Sequence, residues 1–80
     1  DVRTVDEFQQ NHLASAINIP LSQLENRRRE IDFESANYFI CQSGVRSKKA
    51  IALLQKLQPT ASLINVRGGM NNCKAYAARY

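Results

Sequence analysis

The sequence predicts an α/β domain in which a central, mostly parallel sheet is flanked by helices. Two apolar segments, residues 37–41 and 62–66, have the composition and length of buried β-strands. Between them, apolar residues recur at positions 50, 53, 54 and 57, the spacing of an amphipathic helix that ends just before Pro59. Strands that alternate with helices are typical of an α/β domain with a parallel sheet.

The N-terminal part of the chain carries shorter signals of the same kind. Thr4 and Glu7 have the spacing of a capping box, which predicts a short helix from about Val5 to Asn11 with Phe8 as its buried contact. Residues 17–19 alternate between apolar and polar side chains and stop at a proline, which predicts a short strand.

Two further helices are expected. Ser22 and Glu25 repeat the capping-box spacing, and we therefore predict a second helix that runs to about Glu30. After the last strand, two glycines at positions 68 and 69 make a turn. Residues at positions 70, 73, 77 and 80 then fall at helical spacing, which predicts a final helix.

Composition excludes several classes of protein. Eighty residues, 44% of them hydrophobic and 22% charged, make one ordinary soluble domain, and no apolar stretch approaches the ~20 residues that cross a bilayer. The net charge of +4 favours anionic partners. Because tryptophan is absent and the aromatic residues do not interleave with the basic run at residues 27–29, we expect no nucleic-acid partner. The lack of a long apolar stretch leads us to expect no membrane partner either.

The two cysteines, Cys41 and Cys73, suit neither a disulfide framework nor the spacing of zinc ligands. We therefore expect a reduced, cytoplasmic protein that holds no metal. The helical spacing of Cys73 favours packing in the core over a role as a second reactive thiol.

The segment around Cys41 is the most informative. The cysteine lies at the end of a predicted strand, where open α/β sheets bind ligands, and a polar loop and a helix follow it. A helix N-terminus lowers the pKa of a thiol, loop N–H groups bind anions, and Gly44 permits a tight loop. The alternative is a buried structural cysteine, which we disfavour. We expect Cys41 to be catalytic and the anion or persulfide to be bound by Gln42, Ser43, Gly44, Val45, Arg46 and Ser47.

The Cys-x4-Arg spacing suits a thiolate or persulfide anion, and equally a bound oxyanion such as phosphate. Five segments then match a known pattern in order and spacing over nearly the whole chain: Asp-Val-Arg at residues 1–3, Glu-Phe at 7–8, His12 with residues 16–20, the cysteine loop, and Gly-Gly-Met at 68–70. Together they resemble the rhodanese homology domain. The resemblance implies a rhodanese-like fold and a two-step sulfur transfer without a metal or organic cofactor.

In that family, a loop of six residues from cysteine to arginine, as in Cys41 to Arg46, resembles the sulfurtransferase branch. A loop one residue longer is typical of the phosphatase branch. The expected partners are a small anionic sulfur donor, such as thiosulfate or a persulfide, and a protein sulfur acceptor or fused domain. A phosphatase or arsenate reductase and a non-catalytic rhodanese-like binding or regulatory module stay as alternatives.

The resemblance also implies supporting residues. Asp1 is similar to a residue that pairs with the loop arginine, so we expect a contact between Asp1 and Arg46. Arg3 is a candidate for the mouth of the pocket, and His12 is expected to cap the turn before residue 17. The family has a strand and a short helix before Asp-Val-Arg. We therefore expect residues 1–80 to be one rhodanese-like domain that lacks these elements or is excised from a longer chain.

Overall fold

Two parallel strands and one long helix form the centre of the structure, a computed structural model that describes residues 1–73. Strand β1 spans Asn37–Phe39, helix α2 spans Val45–Leu57 and strand β2 spans Leu63–Asn65. The strands pair in parallel, with Asn37 beside Leu63 and Phe39 beside Asn65. The predicted α/β class, the two strands and the amphipathic helix are therefore confirmed.

Extended chain continues this hydrogen bonding on the other side of β1. The Val2 N–H donates to the carbonyl of Ile40 at 2.9 Å, which places residues 1–3 beside the end of β1. The N–H groups of Ile19 and Leu21 donate in turn to the carbonyls of Asp1 and Val2, at 2.9 and 3.1 Å. The predicted strand at residues 17–19 is thus an extended segment on this outer side, with only its last residue buried.

Helix α1, Val5–Gln10, begins at the predicted capping box. The Thr4 side chain accepts a hydrogen bond from the Glu7 N–H, and the Glu7 side chain accepts one from the Thr4 N–H. Phe8 differs from expectation because it is half-buried and stacks on His12, with ring centroids 3.8 Å apart. A His12 ring nitrogen lies 2.8 Å from the Phe8 carbonyl, so the ring packs against the end of this helix.

The second predicted α-helix is wrong. Residues 21–30 form two single turns of 3-10 helix, Leu21–Gln23 and Arg28–Glu30, and no side chain caps the first of them. Leu24 is the one residue of this stretch that is fully buried. Without an apolar stripe that continues past Leu24, packing cannot offset the cost of nucleating a longer helix.

The main core lies between α2 and the sheet. Ala50 and Leu54 on the inner face of α2 are fully buried and pack with Phe39 of β1, and Cys41 belongs to the same cluster. A smaller cluster joins Ile40 and Met70. Within residues 1–73, no helix has the length and apolar character needed to cross a membrane.

The chain after β2 turns sharply into a third 3-10 helix, Gly69–Asn72. Cys73, at its end, is half-buried and packs against the cluster of Ile40 and Met70, in agreement with the expected core role. The rest of the predicted final helix lies outside the described residues.

Candidate active site

Cys41 lies two residues beyond β1, and a short loop connects it to α2. Gly44 caps the helix with a φ of 98°, in the left-handed region that disfavours residues with a side chain. A Cβ atom at Gly44 would also lie 3.3 Å from the Gly68 backbone nitrogen. The glycine therefore allows the loop to turn tightly and the helix to begin beside the cysteine.

Hydrogen-bond donors surround the Cys41 sulfur. The Gly44 N–H donates to Sγ at 3.0 Å and the Ser47 N–H donates at 3.3 Å, while the Ser47 hydroxyl oxygen lies 3.4 Å from Sγ. Burial raises the pKa of the Cys41 thiol, but hydrogen bonds from Ser47, Gly44 and Ser43 outweigh it and lower the pKa from 9.0 to about 7. A substantial fraction of Cys41 is thus the reactive thiolate at neutral pH.

The loop also offers N–H donors that have no acceptor within the part of the chain that the structure describes. The first N–H groups of an α-helix have no acceptor within the helix. Those of Val45 and Arg46 have no acceptor among residues 1–73. They lie at the start of α2 beside the sulfur, so an anion held there would complete their hydrogen bonding.

Arg46 pairs with Glu7 rather than with Asp1, and the expected Asp1–Arg46 contact is wrong. Two guanidinium nitrogens of Arg46 donate to the two carboxylate oxygens of Glu7, at 2.6 and 3.0 Å. The hydrogen bond from Arg46 holds the pKa of Glu7 down at about 2, and the same bond raises the pKa of Arg46. Helix α1 therefore anchors the arginine of the loop.

Asp1 pairs instead with Arg3, which is nearer along the chain. The Arg3 guanidinium donates to both Asp1 carboxylate oxygens, and its side chain is only 1% exposed, so Arg3 does not frame the pocket mouth. Another nitrogen of Arg3 approaches the Gln42 side-chain oxygen at 3.4 Å. The Gln42 amide donates in turn to Asn71 at 2.7 Å, so this first loop residue is held from both sides.

The turn after β2 holds the backbone of the cysteine. The Met70 N–H donates to the Cys41 carbonyl at 2.9 Å, and the Asn71 N–H donates to the Gln42 carbonyl at 3.0 Å. Gly69 lies against the same two residues, so closely that a Cβ atom would be 2.1 Å from the Cys41 carbonyl oxygen. The turn therefore holds the backbone of the cysteine and of the loop residue that follows it.

A pocket of about 370 Å³ beside the loop has two basic residues in its lining. Lys48 and Arg67 line it together with loop residues and Asn65. Neither cation forms an ion pair within residues 1–73. The pocket is therefore suited to the anionic part of a ligand.

Two residues of the site were missed by the sequence reasoning. Glu7 was assigned to the capping box, which it does form, and nothing in the sequence shows that its carboxylate also reaches Arg46. Asn65 accepts a hydrogen bond from the buried Ser47 hydroxyl. Asn65 lies at the end of β2, and parallel strands present ligand-binding residues at this edge of a sheet. That position in the sequence could have identified it as a candidate.

Replacing Glu7 with glutamine should lower the free energy of unfolding by about 0.5–1 kcal/mol at neutral pH, the range of a partly exposed ion pair that solvent screens. Glutamine can still complete a capping box, so the variant isolates the ionic contact with Arg46. Because the pKa of Glu7 is lowered from 4.5 to about 2, its stabilisation is present above the unfolded value and is lost as pH falls through the folded one.

The measurement is urea unfolding of both proteins over a series of pH values. We expect the difference between them to narrow as the pH falls from about 4.5 towards about 2. A difference that stays constant over this range would show that the Glu7 charge does not stabilise the fold.

The family model described as the rhodanese-like domain matches residues 1–76. The chain belongs to the rhodanese-like domain family. The crystal structure of a rhodanese-related protein from Thermoplasma volcanium superposes with a TM-score of 0.83 at 28% identity, covering 92% of this chain and 72% of that one. The recognition of the family and of its fold is thus confirmed.

Curated relatives extend the rhodanese-like assignment. The uncharacterized protein YqhL of Bacillus subtilis is 44% identical over 69 residues, which are 86% of this chain and 54% of that protein. A protein named sulfurtransferase from Allochromatium vinosum is 33% identical over 70 residues, 88% of this chain and 64% of that protein. The chain therefore spans about half to two thirds of the length of these two relatives.

Proposed function

We propose that this rhodanese-like domain is a sulfurtransferase that carries sulfane sulfur as a persulfide on Cys41. The observation that carries the proposal is the set of hydrogen bonds to the Cys41 sulfur from Gly44 and Ser47. They stabilise negative charge on sulfur and lower the pKa of the thiol to about 7. The relative from Allochromatium vinosum, which is named a sulfurtransferase, supports sulfur transfer as the reaction.

The reaction has two half-reactions. The Cys41 thiolate attacks the outer sulfur of thiosulfate, a new S–S bond forms, and the old S–S bond breaks so that sulfite leaves with its electron pair. The extra sulfur is then a terminal persulfide anion, and we propose that it is bound by the N–H groups of Val45 and Arg46, which have no acceptor within residues 1–73. A nucleophile such as cyanide, a thiol or a sulfur-carrier protein removes that sulfur and regenerates the Cys41 thiolate.

Charge around the site supports an anionic donor. The pocket lined by Lys48 and Arg67 adjoins the active loop and suits the oxygen atoms of thiosulfate or the charged part of a small persulfide. Both cysteines are free, which fits a reduced, cytoplasmic setting as the place of work. We propose that the domain works without a nucleic-acid or membrane partner and without a metal or organic cofactor.

Phosphate hydrolysis is disfavoured by the carboxylates near the loop. A phosphatase of this loop type needs a general acid, whose pKa must lie near the working pH. Glu7 is bound to Arg46 and has a pKa of about 2, and Asp1 is bound to Arg3. Glu7 is therefore not suited to donate a proton to a leaving group at neutral pH, and the Asp1 carboxylate is engaged with Arg3.

Intact-protein mass spectrometry after incubation with thiosulfate tests the proposal. We expect the mass of one sulfur to be added, cyanide to remove it as thiocyanate, and an aryl phosphate to stay unhydrolysed. The rate of uptake should rise with pH and level off above about 7, as the thiolate becomes the main form. Hydrolysis of the phosphate without sulfur uptake would favour the phosphatase, and a Cys41 inert to both substrates would favour a non-catalytic module.

A further inference from the structure

Three polar side chains form a line that ends on the reactive sulfur. The Ser47 hydroxyl oxygen is 3.4 Å from Cys41 Sγ, and the same hydroxyl donates to the Asn65 side-chain oxygen. Cys41 and Ser47 are fully buried, while Asn65 is half-buried at the end of β2. The order from outside to inside is thus Asn65, Ser47 and Cys41.

A hydroxyl has one proton, so Ser47 cannot donate to Asn65 and to Cys41 at the same time. While Cys41 is a thiol, its S–H can donate to Ser47, and the Ser47 hydroxyl can donate onward to the Asn65 carbonyl. A thiolate has no proton to donate and is stabilised only by donors. The arrangement that suits the thiol therefore turns the Ser47 proton away from the sulfur that must become charged.

Asn65 has the chemistry to resolve this conflict. Its amide carries an acceptor on one side and donors on the other, and the two are exchanged by a half-turn about a torsion with broad, roughly two-fold preferences. The pocket beside the loop is lined in part by Asn65, which gives the amide room on its outer side. In this structure the Asn65 amide nitrogen lies on the side of Gly44, and a Cβ atom added to Gly44 would be 3.7 Å from it.

We propose that Asn65 is a positioning residue that sets the direction of the Ser47 hydroxyl. Its carbonyl accepts from Ser47 while Cys41 is a thiol, and its N–H₂ group donates to Ser47 once Cys41 is a thiolate, so that the Ser47 proton turns to the sulfur. The inference deepens the proposed function, on which it rests for the need to generate the thiolate. No atom is transferred by Asn65 itself.

Other charged side chains lie near Cys41 and Asn65, and the variants must leave them unchanged. Arg46 interacts electrostatically with the Cys41 sulfur and is paired with Glu7, while Lys48 and Arg67 line the pocket beside Asn65. None of these side chains is altered in the variants below. Their influence is therefore common to all the proteins compared.

Two substitutions of nearly equal size separate the roles of the amide. Aspartate can only accept, so Asn65→Asp should keep the Ser47 hydroxyl turned away from sulfur and add a negative charge. We expect it to raise the pKa of Cys41 by about one unit or more. Leucine can neither accept nor donate, which leaves the Ser47 hydroxyl free to turn to the sulfur, so Asn65→Leu should leave the pKa unchanged or lower it.

The thiolate absorbance of each variant is titrated with pH in a Cys73→Ser background, so that only Cys41 contributes. Combining Asn65→Asp with Ser47→Ala separates the hydroxyl from simple charge repulsion, because the orientation of an absent hydroxyl cannot matter. We expect Asn65→Asp to raise the pKa less in the Ser47→Ala background. Equal increases in the two backgrounds, or a rise with leucine as large as with aspartate, would contradict the proposal.

A measurement on the Cys73→Ser protein with Asn65 unchanged guards against variants that fail to fold. The side-chain amide resonances of Asn65, followed by NMR through a pH titration, should shift with the same midpoint as the Cys41 thiolate absorbance. Resonances that do not respond to this titration would overturn the inference. A protein in which they respond, but which takes up no sulfur from thiosulfate, would refute the proposed function and leave the role of Asn65 standing.

Discussion

Serine in place of Cys41 should abolish sulfur uptake from thiosulfate altogether. An alcohol is a far weaker nucleophile than a thiolate near neutral pH, and the hydrogen bonds that lower the pKa of Cys41 do not bring a hydroxyl into a comparable range. Serine retains the size and polarity of the side chain, so the backbone bonds from Met70 and Val2 to this region should persist. Loss of uptake would therefore report chemistry rather than folding.

Cys73→Ser is the matched control. Cys73 is half-buried and packs against Ile40 and Met70, away from the hydrogen bonds that surround the Cys41 sulfur within residues 1–73. We expect this variant to gain the mass of one sulfur with the same stoichiometry as the unaltered protein. Uptake that persists in Cys41→Ser and vanishes in Cys73→Ser would show that the nucleophile is Cys73 and not Cys41.

Alanine in place of Gly69 should disrupt the active loop as well as the fold. The added Cβ would lie 2.1 Å from the Cys41 carbonyl oxygen and 2.8 Å from two backbone atoms of Gln42, none of which belongs to a flexible side chain. The backbone at Gly69 also has a φ of 59°, which costs a residue with a side chain on the order of 1 kcal/mol. The clash adds to that strain, so we expect the free energy of unfolding to fall by more than about 2 kcal/mol.

Gly68→Ala is the control for backbone strain. Gly68 has a φ of 78°, but the three atoms nearest to its added Cβ all belong to the side chain of Asn72, whose amide end can move aside. Urea unfolding and the rate of sulfur uptake are measured for both variants. We expect at least about tenfold slower uptake from Gly69→Ala than from Gly68→Ala, the effect of a small misplacement of reacting groups. Equal losses in the two variants would show that contact with the cysteine backbone is unimportant.

The parts of the fold that were predicted correctly have signals within one element. The spacing of positions 50, 53, 54 and 57 identifies α2, because one helical face must be apolar to pack on the sheet. The capping box identifies α1 for an equally local reason. Residues 21–30 also carry capping-box spacing, but burial of Leu24 alone does not support an α-helix there.

The candidate site also has parts that local sequence patterns predict and parts that depend on contacts between distant segments. The strand, loop and helix around Cys41 follow from adjacent residues, and the N–H groups of Gly44 and Ser47 donate to its sulfur. The partner of Arg46 depends on how α1 is placed against α2, which no local pattern encodes, and Glu7 was therefore missed. Asn65 was missed because its role comes from a contact with Ser47 across the parallel sheet and helix.

The complete burial of Cys41 has a consequence for the shape of its substrates. The residue is 0% exposed and belongs to the main hydrophobic cluster, and its carbonyl is fixed by the Met70 N–H. Opening a packed core costs more free energy than opening an exposed loop, so we expect Cys41 to keep its buried position when a ligand binds. If the proposed sulfur transfer is correct, we expect the donor to carry its transferable sulfur at the tip of a narrow group that can reach inward to Cys41. The shape of a donor would then limit its access to Cys41 before its chemical reactivity does.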